Sequence, residues 1–370
     1  MKDVSNPLNR GANRRSFLKK GVFAAGAAAV GAGLLGNARS AFGRAQGSSS
    51  PGLTDGDIAM LQFAAAAEII ESDLWQQYAE LGGVTQGTQN TYQQALQFLD
   101  SDGSQYVTSN TLDEISHEAF LNAYLVSQGA EPINLDEFRT LPSSQATGAQ
   151  QIGRLTNLMN LTVDTSWYIR YRSTTNPDFG ATFPQAISIK NRPAIATNDN
   201  DFSDANHIQA IADTAAFHFA FIEQGGSSLY ATFSRQATSQ EVERILVSIG
   251  GVETHHFGEW MDFSGNAVQG PPFSFAGATS PVTDDGLTFP DFNALDNPLF
   301  QTNLIFPVAC EFISKDLPLC SVIRPTPTAG VAMGAVRAFT NDGLFMGQSK
   351  KFLQLLQSLA AAADTAQRGV

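Results

Sequence analysis

Two short motifs constrain the fold of this chain more than any other feature. Each has the form Glu-x-x-His, from Glu114 to His117 and from Glu253 to His256, in a chain with only five histidines. On an α-helix, residues three apart lie on the same face. Each motif can therefore present a carboxylate oxygen and an imidazole nitrogen to one ion. The motifs predict two helices that together supply half of the walls of a metal site.

Each motif follows an apolar stretch that carries a further glutamate. Glu68 and Glu71 lie in the stretch 58–81, and Glu223 lies in the stretch 208–233. The resulting order, Glu, Glu-x-x-His, Glu, Glu-x-x-His, resembles the ferritin-like carboxylate bundles. The resemblance implies a mainly α fold, a ferritin-like four-helix bundle with one long crossover. It implies the following metal ligands: Glu68, Glu114, His117, Glu223, Glu253 and His256.

The 3-4-3-4 spacing of apolar residues supports four amphipathic helices. Apolar, small or aromatic residues share one helix face with each predicted ligand. Around the second motif that face holds Val242, Leu246, Ile249, Trp260 and Phe263. The ligands are thus expected to point into a core, where an unpaired carboxylate is costly and a metal ion would offset the cost.

Glu114 has an alternative interpretation. Thr111 and Glu114 also fit a capping box, in which Glu114 would accept a backbone N–H at the start of a helix and bind no metal. The cap accounts for neither His117 nor its spacing, so the ligand interpretation is preferred.

The resemblance is closest to the exported, desiccation-related group of ferritin-like proteins, over residues 53–263. DEISHEAFLNAYL, FIEQGGSSLY and VETHHFGEWM carry it most specifically. AAAEIIESDLWQQY is similar to the first-helix pattern of the family, Glu-x-x-Glu followed by an aromatic, in which the first Glu is the ligand. This implies Glu68, with Glu71 as the alternative ligand, and Trp75 stands where the family usually has Tyr. Activity within this group is largely undefined, so the resemblance implies a fold and a metal but no substrate.

Four carboxylates and two imidazoles suit iron or manganese. We expect two such ions in a centre that acts on O₂, peroxide, Fe(II) or a small organic molecule, as an oxidoreductase of the ferroxidase or peroxidase type. Tyr230 and Tyr78 are candidate catalytic neighbours of the centre. Two alternatives stay open: a non-catalytic exported stress protein with a structural metal, and a bundle that has lost its metal.

Residues 1–45 are expected to be a twin-arginine export signal. Asn13 to Lys20, NRRSFLKK, has the arginine pair, the phenylalanine and the lysines in place, and an Ala/Gly-rich run follows. Residues 46–52 read as a linker, and the protein is expected in the periplasm or outside the cell. Removal of the signal leaves 14 Lys and Arg against 34 acids, a formal net charge of −20. That charge argues against nucleic-acid and membrane partners; the oligomeric state is not indicated.

The remaining segments carry weaker signals. Residues 131–203 are predicted as the crossover, with one helix near 148–161 and an extended piece near 166–172. Residues 264–370 are predicted as an irregular cap that ends in a helix, 346–366. Cys310 and Cys320 are the only cysteines and are expected to form a disulfide in an oxidising compartment, with two free thiols as the alternative. Glycine pairs at 225–226 and 250–251 indicate either close helix packing or a local widening of the turn.

Overall fold

Helices dominate the computed structural model, which describes residues 52–84, 89–170, 184–270, 275, 277–292, 294, 307–309, 314–321 and 329–369. In chain order they are α1 (Asp55–Gly82), α2 (Thr91–Leu99), α3 (Gly103–Ser127), α4 (Ala205–Gln236), α5 (Gln240–Asn266), α6 (Val331–Asp342) and α7 (Lys350–Asp364). Helix α1 packs along α3, and α4 packs along α5. The predicted mainly helical bundle is confirmed. The predicted export signal lies outside the described residues.

Local caps set where the bundle helices begin. Thr54 Oγ1 accepts the Asp57 backbone N–H at 3.1 Å, as its sequence position predicts. The Asp57 carboxylate instead accepts the backbone N–H groups of Thr238 and Ser239, at 2.9 and 3.2 Å. It therefore joins the start of α1 to the turn between α4 and α5. Ser239, one residue later than predicted, caps α5.

Helix α3 begins earlier than predicted, and this excludes the capping-box interpretation of Glu114. Because the helix starts at Gly103, Thr111 lies inside it and cannot be its N-cap. The Thr111 hydroxyl donates to the Val107 carbonyl at 2.7 Å, and it also lies 3.1 Å from the Trp75 carbonyl on α1. Thr111 thus ties α3 to α1, and Glu114 is free to face the core.

Helix α1 is buried on almost every side, which matches its nearly continuous run of alanine, leucine, isoleucine and phenylalanine. Its neighbours are α3 on one side and the C-terminal helix α7 on another. Helix α6 packs between α7 and α4. Among the described residues, no helix combines the length and the apolar run that crossing a bilayer requires.

The crossover contains little regular structure. Over its described residues, 131–170 and 184–203, it holds two short 3₁₀ helices, Asp136–Phe138 and Asp199–Ser203, one helical turn, Trp167–Arg170, and two isolated β-bridges. The helix predicted at 148–161 is wrong, because the Leu155 and Thr156 backbone N–H groups donate to Asp73 on α1 instead of to a helix of their own. The extended piece predicted near 166–172 is also wrong over 167–170, where the chain is helical.

The C-terminal part has more structure than predicted. Strands β1 (Val282–Asp284) and β2 (Leu287–Phe289) form an antiparallel hairpin, and β3 (Pro307–Val308) pairs with β4 (Cys320–Ser321). Helix α6 was predicted as irregular chain, whereas α7 falls within the predicted terminal helix. Cys320 is exposed as a free thiol and Cys310 lies outside the described residues, so their pairing stays a prediction.

Candidate metal centre

The four bundle helices bring all six predicted ligands to one buried place. Their ligand atoms fall into two groups, and within each group the atoms lie within 4.8 Å of one another. One group is Glu68, Glu114, His117 and Glu253, and the other is Glu114, Glu223, Glu253 and His256. The groups share two carboxylates and differ in one glutamate and one histidine. Each group could hold a metal ion.

In the first group, the carboxylates lie around His117 Nδ1. This nitrogen lies 3.1 Å from Glu114 Oε2 on its own helix. It lies 3.4 Å from Glu68 Oε2 on α1 and also 3.4 Å from Glu253 Oε1 on α5. One imidazole nitrogen from α3 therefore faces carboxylates from three helices.

In the second group, carboxylates lie close to His256 Nδ1. This nitrogen lies 3.2 Å from Glu114 Oε1 and 3.3 Å from Glu223 Oε2. The other ring nitrogen, Nε2, lies 3.1 Å from an oxygen of Asp113 on α3. A carboxylate behind the ring favours a proton on Nε2 and leaves Nδ1 free to bind an ion.

The centre has too few hydrogen-bond donors for its carboxylates. Both oxygens of Glu253 and Oε2 of Glu68 are buried and accept no hydrogen bond from the described residues. Buried carboxylate oxygens without donors are costly. A metal cation would satisfy them, so the chemistry of the side chains present fits a metal site.

A glycine makes room for the least satisfied of these acids. A Cβ added at Gly226 on α4 would lie 2.2 Å from Glu253 Oε2, and one added at Gly250 on α5 would lie 2.7 Å from Tyr230 Cβ. A Cβ at Gly251 would have nothing within 4 Å. Close packing therefore accounts for Gly226 and Gly250, and both helices run as α-helix through the pairs.

Burial and charge crowding raise the pKa values of Glu253 and Glu114. Burial, followed by the Glu114 and Glu223 charges, raises the pKa of Glu253 well above its ordinary value. Burial and Glu223 raise the pKa of Glu114 to about 7. Without an ion, the cluster therefore retains protons near neutral pH that bound metal would displace.

The pKa values of the two imidazoles are raised as well, which favours their charged forms. Burial lowers the pKa of His117, but the nearby carboxylates of Glu114, Glu253 and Glu68 outweigh it and raise the pKa overall. Burial likewise lowers the pKa of His256, and the charge of Glu223 with the neighbouring acids raises it well above its usual range. Imidazolium groups thus offset part of the negative charge in the absence of an ion.

Polar side chains hold the carboxylates from behind. The Tyr230 hydroxyl donates to Glu68 Oε1. Asn110 Nδ2 donates to Glu114 Oε1 at 2.7 Å and to Glu223 Oε1 at 3.0 Å. Asn110 is itself positioned by Trp260 Nε1, which donates to its Oδ1 at 2.6 Å.

Sequence reasoning missed Asn110 and Asp113. Asn110 lies one turn before Glu114, so extension of the apolar seam backwards by one turn would have found it. Asp113 precedes Glu114 and lies off that seam, and its partner is on another helix, so no spacing rule indicates it.

Three other residues lie outside the two ligand groups. Glu71 is buried and belongs to neither ligand group. Burial and then the Glu253 and Glu68 charges raise its pKa well above its ordinary value. The Tyr78 hydroxyl lies 2.7 Å from His218 Nδ1 rather than against a predicted ligand. His255, the residue before His256, points outward with its side chain 70% exposed.

Comparison with known proteins identifies the bundle. The family model of the ferritin-like domain matches residues 56–266, which is more than half of the chain. No curated protein and no solved structure matches the chain. The matched range runs from the first turn of α1 to the last residue of α5, so it contains all six predicted ligands.

Proposed function

The chain belongs to the ferritin-like domain family, and on this premise we propose that it binds two iron or manganese ions between α1, α3, α4 and α5 and acts on O₂, peroxide or Fe(II). The observation that carries the proposal is the pair of overlapping ligand groups that share Glu114 and Glu253. The donor-free oxygens of Glu253 and Glu68 support it independently, because the imidazoles beside them offset only part of the negative charge.

Each ligand has a defined place in this proposal. Glu68 and His117 would hold one ion, Glu223 and His256 would hold the other, and Glu114 and Glu253 would bridge them. A bound pair of iron or manganese ions supplies the electrons and the Lewis acidity for O₂ or peroxide reduction. The residues behind the ligands fix the carboxylates and the His256 ring in place and so reduce the reorganisation that ion binding requires.

The donor set favours oxygen-preferring metals. Four carboxylates and two imidazoles suit iron or manganese, although zinc and copper bind most sites of this kind more tightly. The twin-arginine sequence supports export of the folded protein, as in the desiccation-related branch of the family. We therefore propose that the ions are loaded in the cytoplasm and carried out in place.

Elemental analysis of protein purified from the compartment where it resides tests the metal. We expect close to two iron or manganese ions per chain, and a protein that holds only zinc, or no metal, would overturn the assignment. Aerobic addition of Fe(II) to the metal-free protein tests the chemistry. We expect rapid Fe(II) oxidation that Glu253→Gln abolishes, whereas bound metal that only raises the melting temperature would support a structural metal instead.

A further inference from the structure

A second feature of the molecule lies away from the metal centre. A cavity of about 420 Å³ opens between the crossover and α6. Its size is that of a small-molecule site. Its lining combines apolar walls with both signs of charge: Val163, Ile187, Ile189, Lys190, Arg337 and Asp342.

Asp342 gives the cavity an unsatisfied polar wall. It is only 2% exposed, and neither carboxylate oxygen makes an aligned hydrogen bond with the described residues. Oδ2 lies 3.0 Å from His218 Nε2 and is paired with that ring, whereas Oδ1 has no hydrogen-bond partner among the described residues. A buried acceptor without a donor calls for a ligand that brings one, such as a hydroxyl group.

Two cations add a second requirement. Lys190 and Arg337 are exposed and line the cavity, whose lining also includes Asp164. A ligand with an anionic group at the cavity opening and a hydroxyl at its inner wall satisfies both ends. The apolar residues between them suit a ring or a short hydrocarbon body.

A buried chain of side chains connects this wall to the metal centre. His218 Nδ1 lies 2.7 Å from the Tyr78 hydroxyl. The Tyr78 ring lies 5.7 Å from the Trp75 ring between centroids, and Trp75 stacks on Trp260 at 5.3 Å. Trp260 donates to Asn110, whose amide bonds two predicted ligands as described above. Tyr78, Trp75, Trp260 and His218 have no solvent exposure.

We propose that the cavity binds a small phenol with an anionic substituent, and that the Tyr78, Trp75 and Trp260 side chains carry electrons from it to the metal centre. This proposal rests on the proposed function of that centre and names its electron donor. The oxidant is peroxide, reduced at the centre. Trp75, which stands where the family usually has tyrosine, provides the middle of this path.

The chemistry balances with two one-electron steps. In each step a phenol O–H in the cavity gives its proton to the Asp342 carboxylate and its electron to the chain, which leaves a phenoxyl radical. Tyr78, when it is oxidised in transit, passes its own proton to His218 Nδ1 and recovers it on reduction. Two phenols supply two electrons. Each phenol proton leaves Asp342 for the solvent at the cavity, and the centre takes up two protons from solvent, so that one H₂O₂ becomes two H₂O.

Ligand binding to the metal-free protein tests the site without reference to the centre. With 4-hydroxybenzoate as the probe, we expect calorimetric binding that Arg337→Gln weakens by about tenfold. Arg235→Gln, at an exposed arginine on α4 outside the cavity, is the matched control and should bind as the unmodified protein does. Absence of binding, or equal loss in both variants, would overturn the site.

Electron paramagnetic resonance tests the path. Iron-loaded protein mixed with H₂O₂ and frozen should show a tyrosyl radical that Tyr78→Phe removes at unchanged iron content. Tyr92→Phe is the control, because Tyr92 is equally buried but bonds the Ala194 carbonyl off the path. A radical that survives Tyr78→Phe would overturn the path alone. A protein that binds no iron would overturn the proposed function and the path with it, while binding of the probe would still support the site.

Discussion

Two buried carboxylates in the same bundle show opposite surroundings. Asp73 on α1 is 0% exposed, and so is Glu253 on α5. Asp73 Oδ2 accepts the backbone N–H groups of Leu155 and Thr156 at 3.0 and 2.9 Å, and Arg139 donates to Oδ1 at 2.6 Å. Glu253 accepts no hydrogen bond from the described residues. One acid is saturated with donors, and the other is left without them.

The causes of their pKa shifts show the same contrast. Burial raises the pKa of both groups. At Asp73 the bonds to Thr156 and the charge of Arg139 oppose that rise, whereas at Glu253 the charges of Glu114 and Glu223 add to it. A buried acid that serves the fold is therefore surrounded by donors that the chain supplies. A buried acid without such donors is suited to a cation that comes from outside.

The largest expected effect separates these two roles. Asp73→Asn removes a paired charge that anchors the crossover, so we expect the metal-free protein to lose about 3–5 kcal/mol of unfolding free energy. Glu253→Gln replaces an acid whose raised pKa already favours its neutral form, so we expect metal-free stability to be unchanged or slightly higher. Urea unfolding of both variants in the presence of a chelator measures the difference.

Bound metal should then narrow the stability difference between the two variants. Addition of Mn(II) at about 100 times its dissociation constant should stabilise the unmodified protein and Asp73→Asn by about 2.7 kcal/mol, and should leave Glu253→Gln unchanged. The contrast between the two acids breaks down when Glu253→Gln proves as destabilising as Asp73→Asn in the metal-free state, since Glu253 would then be a structural residue.

The bundle was predictable where its signals are local. Apolar periodicity and the cap at Thr54 place α1 and the other bundle helices within a few residues, apart from the start of α3. Helix α6 was not predictable in this way, because its first N–H groups, on Ala332 and Met333, are bonded by Asp364 at the end of α7. The helix predicted at 148–161 is wrong for the same reason, because the Leu155 and Thr156 N–H groups donate to Asp73 on α1.

The site was predictable where one helix carries the spacing. The Glu-x-x-His pairs and the preceding glutamates lie in register within single helices, so the sequence reveals them. The hydrogen bond from Tyr230 to Glu68 crosses from α4 to α1, and that from His256 to Asp113 crosses from α5 to α3. Partners of this kind depend on how the helices pack and are absent from any one-helix pattern.

A smaller effect tests the space around Glu253 rather than its charge. A methyl group at position 226 would collide with Glu253 Oε2, so Gly226→Ala should displace this carboxylate and weaken Mn(II) binding by about tenfold or more. Gly251→Ala is the matched control on the same helix as Glu253. It meets open space, and alanine favours helix by up to about 1 kcal/mol, so it should bind Mn(II) normally and unfold at a slightly higher temperature. Equal affinity in both variants would show that Glu253 does not contact the ion.

The smallest expected effect concerns the support behind a ligand. On the inner side of the centre, Glu253 lacks hydrogen-bond donors. On the outer side, His256 Nε2 lies 3.1 Å from Asp113 Oδ2, which orients the ring. Asp113→Ala removes that acceptor and should lower Mn(II) affinity by about tenfold, at the weak end of such effects because the Asp113 side chain is 46% exposed and its charge is screened. Asp113→Asn keeps an oxygen that can accept a hydrogen bond from Nε2. Its Mn(II) affinity should lie between that of the unmodified protein and that of Asp113→Ala. Asp55→Asn removes an exposed acid at the start of α1 and controls for net charge, so it should leave the Mn(II) affinity unchanged. A loss as large as that of Asp113→Ala would mean that long-range charge, and not orientation of the His256 ring, sets the affinity of the centre.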